Sequence, residues 1–478
     1  MSVDATTTDL GLAAAPSVRQ GGLARLAYAF TAWAEKWYPD AFVFVIFAVL
    51  VVAAANLATG ASPVSIAQHF GDGFWTLIPF TMQMAMVLIT GYVLAVSPPV
   101  AKLIDLLAAV PRSNAAAIAW VAFVSMMASY VNYALSLVLG GLLIRALARR
   151  TELGMDYRAA GAAAYLGLGA TWALGLSSSA AMLQANAGSL PKAISDITGV
   201  IPLSQTIFLW NSIVAAIAIM VLSVAVSFLS APKGSHVRTA QDMGCDVSLE
   251  QVTDARPTRP GEWAEFTPIL PVLVVIIAAA WIGMQFWNKP ALQVIGNLNT
   301  YNFILLMVGL LLHKNIYSFH KAVVKSVPTT GGVLLQFPFY GAVAAMMTAV
   351  PGSDGLTLSH HISDMFVSIA NTETYPVVIG IYSAVLGFFV PSGGGKWIIE
   401  APYVMQAAKD LHTHLGWAVT TYNAAEALPN LINPFWMLPL LGVLGLKARD
   451  IVGFCFTQFL FHVPLVLFLL WFLAPHAG

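Results

Sequence analysis

The residues best placed to do chemistry in this sequence are small and charged groups in apolar surroundings. They are Ser392, Gly393, Gly394, Gly395 and Lys396, then Glu400 and, further on, Glu426. Successive glycine amides opening a helix, with a lysine in its first turn, make a concentrated positive field that suits a small carboxylate. Lys396 is costly to place in hydrocarbon, at least about 2.5 kcal/mol on insertion scales, and needs a partner. Glu400 stands one helical turn away, the spacing of an ion pair. In one reading Lys396 attracts a substrate carboxylate while Glu400 tunes it or takes up a proton. In the other the two simply neutralise each other as a structural pair. Glu426 is a further candidate to carry a proton, or else a residue near the membrane surface.

These residues dictate the element that must hold them. Three consecutive glycines disfavour helix by roughly 1 kcal/mol each relative to alanine, and Pro391 removes a further backbone donor, so a helix must break between the apolar runs 377–390 and 397–404. An unpaired peptide group in hydrocarbon costs several kcal/mol, so such a break is tolerated only inside protein or against a watery cavity. The break therefore predicts a cavity.

The whole composition agrees with a bilayer. The chain has 478 residues, 58% hydrophobic and 9% charged, and a mean hydropathy of +0.78. This is an all-α polytopic membrane protein. A formal net charge of +0 gives no global field for nucleic acid. Cys245 in a polar loop and Cys455 in an apolar helix suggest neither a disulfide nor a metal site.

Apolar runs at about 40–58, 72–97, 114–147, 159–190, 203–230, 267–288, 300–313, 327–350, 375–408, 417–446 and 451–474 mark the crossings. Runs 114–147 and 375–408 are too long for one crossing and carry a polar interruption, which predicts two re-entrant hairpins. With the N-terminus in the cytoplasm, every Lys and Arg falls inside except Lys192, Lys289 and Lys409 outside and Lys396 within the second hairpin. The second half then repeats the first upside down, an inverted repeat. The expected organisation is a tail with an interfacial helix over 1–39, a first repeat over 40–230, and a cytoplasmic linker over 231–266. A connecting helix and outer loop follow over 267–299, and a second repeat over 300–478. Leu26, Phe30, Trp33 and Trp37 recur at the spacing of a helix lying on the membrane surface, or of an ordinary packed one.

The halves also match in their interruptions. Hairpin one carries Ser129 and Asn132 where hairpin two carries Ser392 to Lys396. The next crossing is broken by Gly175 to Ser179 in the first half, with Ser177, Ser178 and Ser179, and by Leu428 to Pro434 in the second, with Asn430 and Asn433. Each break alone is explained by helix packing. Paired breaks in corresponding places point instead to a transporter's substrate site near the midplane. Gln83 and Gln336, in the helices before the hairpins, extend the pattern or serve as glue between helices. Hydroxyls, amide oxygens and freed carbonyls at the breaks could ligate sodium, whereas proton coupling would lean on Glu400 or Glu426. The sequence leaves that choice open. Trp172, Trp397, Phe337 and Tyr340 are candidates for an apolar wall.

Competing motifs are weaker. Gly395-Lys396 lacks the first glycine and the Ser or Thr of a P-loop, with Val390 and Trp397 in their places. The serines have no identifiable base, since His462 lies alone in an apolar run and reads as core. His360, His361, His412 and His414 fall in outer loops without further ligands. No catalytic residue, metal site or cofactor is expected.

Pro391 to Trp397, Glu426 to Asn430 running into Asn433 to Trp436, Gly445 to Asp450, and Trp172 followed by Gly175, Leu176, Ser177 and Ser179 resemble the bacterial short-chain fatty acid transporters, the acetoacetate and butyrate permease family. The likeness covers nearly all of 40–474. Members often carry a glutamine at the position of Lys396, and some a histidine where Ala173 stands. The resemblance implies uptake of butyrate, acetoacetate and similar monocarboxylates across the bacterial inner membrane, with cation coupling. It also implies a two-hairpin ion-transporter-like fold, often of elevator type, and a homodimer. Ser129, Asn132, Ser177, Ser178, Ser179, Ser392, Gly393, Gly394, Gly395, Lys396, Asn430 and Asn433 would then line the substrate site. A transporter of another organic anion, such as a dicarboxylate or aromatic acid, is the strongest rival. A membrane-embedded acyl-transfer enzyme and a passive channel come behind it.

Overall fold

Helix is the only regular structure of the described residues, apart from one isolated bridge between Pro351 and Thr357. A chain in hydrocarbon has to pair its peptide groups within itself, and helix does this segment by segment. The structure, a computed structural model, describes residues 41–247, 257–390 and 392–474. The expected tail and interfacial helix over 1–39, the middle of the linker and Pro391 lie outside these residues.

The first part of the chain forms α1 (Ala41–Ala58), α2 (Pro63–Phe74), α3 (Ile78–Ala95) and α4 (Pro98–Ala108). The pair α5 (Asn114–Val131) and α6 (Tyr133–Ala148) follows, then α7 (Tyr157–Leu166), α8 (Ser179–Gln184), α9 (Lys192–Thr198) and α10 (Trp210–Leu229). Beyond the linker come α11 (Trp263–Phe266), α12 (Ile269–Asn288), α13 (Ala291–Gly296), α14 (Leu298–Leu312), α15 (Ile316–Ser326), α16 (Gly331–Ala349) and α17 (Leu358–Ile369). The chain ends with α18 (Tyr375–Phe389), α19 (Gly393–Asp410), α20 (Leu415–Asn430), α21 (Pro434–Leu444) and α22 (Ala448–Phe472). Seven stretches of the described residues are long and apolar enough to cross a membrane. This is a multi-pass membrane protein.

Both long apolar runs break into two helices where the polar residues predict. Asn132 separates α5 from α6, and residues 390–392 separate α18 from α19. The crossing at 159–190 is interrupted too: after α7 the chain widens into a π turn over Gly167–Thr171, tightens into a 3-10 turn over Trp172–Leu174, and restarts as α8. Run 417–446 divides into α20 and α21.

Among the short helices outside the expected apolar runs are α2, α4, α15 and α17. Each begins after a small polar residue, namely Ser62, Ser97, Asn315 and Thr357. In the last two the side-chain oxygen accepts from an amide of the opening turn, Ser318 and His360 respectively, as Ncap residues do. Their apolar residues recur at helical spacing, so periodicity alone could have found them. With these in place, one order occurs twice along the chain: apolar helix, short amphipathic helix, apolar helix, short amphipathic helix, helix pair, broken crossing and a long final helix.

The segment from α7 to α8 is almost wholly enclosed by protein, whereas α12 is almost wholly exposed and presents Ile276, Ile277 and Trp287 outward. In hydrocarbon an exposed apolar face meets lipid tails and needs no protein cover.

Candidate functional site

The four interruptions meet. Ser392, Gly393 and Gly394 from the tip of α19, Ser179 from the start of α8, Tyr133 from the start of α6, Trp172 from the 3-10 turn and Asn430 from the end of α20 line one cavity. Met84, Leu168, Val333, Phe337 and Trp436 complete its wall. Its free space is narrow, about 30 Å³, enough for roughly two water centres.

Three of the polar break residues do local work that explains why a new helix starts there. Asn132 caps α6, accepting from Leu135 N at 2.9 Å, Ser178 caps α8, accepting from Ala181 N at 3.1 Å, and Ser392 caps α19, accepting from Gly395 N at 3.2 Å. Each relieves one of the amides that a helix start leaves unpaired. Tyrosine hydroxyls from other elements donate to carbonyls beside the breaks: Tyr165 to Asn430 O at 2.6 Å, Tyr422 to Gly393 O at 2.6 Å, and Tyr301 to Val131 O. The breaks are thus largely satisfied by the protein itself. That leaves fewer carbonyls open to a cation than the interruptions alone suggest.

The glycines of the tip are required by close approach. A Cβ on Gly393 would stand 2.0 Å from Cη2 of Trp172, and one on Gly395 would stand 2.1 Å from Cδ2 of Tyr340. Gly394 is less tight, at 3.1 Å from both Phe80 and Ser179. The tip threads between aromatic rings from both halves of the chain.

Lys396 faces away from the cavity, into the space between α18, α19 and α20. Its Nζ lies 2.6 Å from Glu426 Oε2 and 3.2 Å from Glu400 Oε1. It donates to the Ser383 carbonyl and Oγ, both at 2.7 Å, and sits 4.7 Å from the centroid of the Tyr422 ring. Ser383 Oγ donates in turn to Glu400 Oε2 at 2.8 Å. All three charged side chains are fully buried. Gly387 lets this cluster close, since a Cβ there would meet Pro429 at 2.6 Å and Glu426 Oε2 at 3.1 Å.

A sequence profile of the short chain fatty acid transporter family matches residues 22–473. The chain belongs to that family. A relative from Escherichia coli (strain K12) bearing the short-chain fatty acid transporter name is 33% identical over 444 residues, which span 92% of this chain and 97% of that one. Another of the same name, from Haemophilus influenzae, is 31% identical over 459 residues, 94% of this chain and 100% of that one. These relatives are transporters and not enzymes. Among solved structures, the fold is similar to the Alcanivorax borkumensis YdaH transporter, with a TM-score of 0.57 at 14% identity over 91% of this chain and 98% of that one. It is equally similar to Neisseria gonorrhoeae MtrF, described as one of a class of antimetabolite efflux pumps, with a TM-score of 0.57 at 13% identity over 92% and 97%.

In this short-chain fatty acid transporter the expected site residues divide. Ser179, Ser392, Gly393, Gly394 and Asn430 share the cavity, and the Asn430 Oδ1 has no hydrogen-bond partner. Ser178 is turned away to Asn423 Oδ1 at 2.9 Å, and the buried Ser177 hydroxyl is unpaired. Ser129 bonds Thr171 at 2.9 Å and Asn132 Nδ2 donates to Val87 O at 3.0 Å, so neither reaches the cavity wall. Tyr133 takes their place there. Asn433 offers its carbonyl to Tyr165 at 3.4 Å. Of the four aromatic candidates, Trp172 and Phe337 reach the cavity, Tyr340 packs on Gly395, and Trp397 packs against Tyr422 with centroids 4.6 Å apart and the rings inclined at 50°. Gln336 accepts from Tyr340 at 3.2 Å.

Gln83 belongs to a second, wider cavity of about 460 Å³ in the transporter, with Asn186, Ser189, Asn297, Asn299 and Asn302. It donates to Asn299 and accepts from Ser189, both at 2.9 Å. Its neighbour Met84 lines the first cavity, so α3 separates the two. His462, read as core, is buried and bonded to Ser223 Oγ at 2.8 Å and to the Gln458 carbonyl at 2.7 Å.

Proposed function

We propose that this protein is a secondary active transporter of short-chain fatty acids such as butyrate and acetoacetate, carrying them with a cation across the bacterial inner membrane. The observation that carries this reading is the meeting of Ser392, Gly393, Gly394, Ser179 and Asn430 in one cavity walled by Trp172, Phe337, Met84 and Leu168. A helix start and small hydroxyls at one end suit a single carboxylate. The apolar remainder suits a short acyl tail. The family and the named relatives point the same way.

In this reading the helix pairs α5/α6 and α18/α19 are re-entrant hairpins in two inverted repeats, with the N-terminus in the cytoplasm. The repeated order of elements along the chain supports that arrangement. The cavity is too narrow for the acid as it stands, so binding requires the hairpin tip or the Trp172 and Phe337 rings to move. An elevator-like shift of the hairpins in a homodimer would supply alternating access. These features rest on the family resemblance and on the pairing of breaks.

The test is uptake of radiolabelled butyrate and acetoacetate into proteoliposomes, with sodium and proton gradients imposed separately and protein-free vesicles as the baseline. Uptake above that baseline, driven by one of the gradients, is expected. No carrier-dependent movement of any small monocarboxylate by folded protein would end the substrate assignment.

A further inference from the structure

We propose that Lys396, Glu400 and Glu426 together hold one exchangeable proton, and that this is the proton carried with the substrate. The proposal rests on the transport reading above and names its coupling ion. One ammonium faces two carboxylates in a space closed to water, and no other Lys or Arg among the described residues is buried. An uncompensated buried negative charge is costly, and binding a proton removes it. The two carboxylates titrate as a coupled pair, so the proton belongs to the trio.

The surrounding groups offer no alternative neutralisation. Tyr375 and Tyr382 of α18, Tyr403 of α19 and Tyr422 of α20 face the carboxylates, and Tyr340 of α16 faces Tyr422. All are neutral phenols. α22 packs on α18 and α20, but its buried histidine, His462, is bonded to Ser223 of α10. Glu426 Oε1 has no hydrogen-bond partner, so a site for the proton is open.

The trio is joined to the substrate cavity through both of its helices. Lys396 lies one turn beyond Gly393, and Glu426 lies one turn before Asn430, and both Gly393 and Asn430 line the cavity. An anion held at the tip and an uncompensated negative charge behind it repel each other across protein of low dielectric. Protonating the trio therefore strengthens carboxylate binding, and by reciprocity carboxylate binding strengthens protonation. One proton taken up on one side with one carboxylate, both released on the other, moves no net charge.

The experiment uses the full chain in proteoliposomes and measures exchange of labelled for unlabelled acetoacetate at equal pH on both sides. From mildly acid to mildly alkaline buffer the apparent affinity of the wild type should weaken by about tenfold, while in Glu426→Gln it should stay flat, at whatever rate that variant runs. An imposed membrane potential should leave net uptake unchanged. A wild type without pH response, a Glu426→Gln variant with the wild-type response, or uptake driven by sodium alone would overturn the proposal and leave the transport reading intact. Absence of any exchange would sink the transport reading instead. The proton site is then decided by infrared spectroscopy of the purified protein: a protonated-carboxyl band at neutral pH, lost in Glu426→Gln or Glu400→Gln, supports it, and no such band overturns it. The Glu400 variant keeps the question open to measurement should Glu426→Gln fail to fold.

Discussion

Lys396 finds its closest carboxylate not on its own helix but on α20, where Glu426 Oε2 lies 2.6 Å from its Nζ, against 3.2 Å for Glu400 one turn along α19. The ammonium therefore bridges two helices and ties the first turn of α19 to α20. Removing one partner of a buried charge set strands the rest, at a cost of about 3–5 kcal/mol. Lys396→Gln should destabilise the purified protein by that order, measured by chemical or thermal unfolding in detergent. Combining it with Glu426→Gln should recover most of the loss. Equal stability of wild type and Lys396→Gln would show that the trio does not bind the helices together.

The glycine tip makes a steric prediction. Gly393→Ala forces a methyl to 2.0 Å from the Trp172 ring, and overpacking of this kind costs about 1–3 kcal/mol. Thermal unfolding should fall accordingly and substrate exchange should be lost. On exposed α12, Gly283 has open space around its Cβ position, so Gly283→Ala should leave both unchanged. Identical behaviour of the two variants would contradict the close approach at the tip.

Tyr165 holds the second broken crossing, at the end of α20, by donating to Asn430 O. Removing its hydroxyl in Tyr165→Phe leaves a buried carbonyl without that donor and should cost about 1–3 kcal/mol in unfolding measurements. Because Asn430 lines the cavity, apparent substrate affinity should fall as well. A stable Tyr165→Phe protein with normal affinity would mean that the Asn433 amide, 3.4 Å from this carbonyl, satisfies it alone.

Trp172 and Phe337 line the cavity with their rings. Truncating Phe337 to Ala should shift preference toward longer acids, since each further methylene removed from water is worth about 0.8 kcal/mol, roughly fourfold in affinity. Competition of unlabelled pentanoate and hexanoate against labelled butyrate reads this directly. An unchanged order of preference would place the acyl tail elsewhere.

Much of this was legible in the chain because hydrocarbon leaves few options. An apolar run must be helix, and Gly, Pro, Ser and Asn within such a run mark where helix stops, so the separations at Asn132, at Gly175 to Ser178, at 390–392 and at 431–433 follow from residue type, whereas the earlier widening at Gly167 does not. The short helices α2, α4, α15 and α17 escaped because their apolar stripes are brief and mixed with polar residues, which reads as loop when only long apolar runs are sought. Ser129 and Asn132 were expected at the site since a break exposes polar side chains. Whether such a side chain reaches a cavity or caps its own helix depends on the neighbouring chain, and Val87 and Thr171 decide it here.

The sequence by itself determined that the protein spans a bilayer, that its helices break at four polar points, and that a charge near the third of them needs a partner. Each of these follows from the cost of unpaired peptide groups and charges away from water. Only the tertiary structure decided which way Lys396 points. Residues on a helix turn by about 100° per step, so Lys396 stands about 160° round from Gly394 and about 60° from Gly393, and its side chain enters the space beside α18 and α20 while the two glycines meet the cavity. There it meets Glu426, whose position beside it is set by how α20 packs against the helix pair α18 and α19, a contact no local spacing encodes.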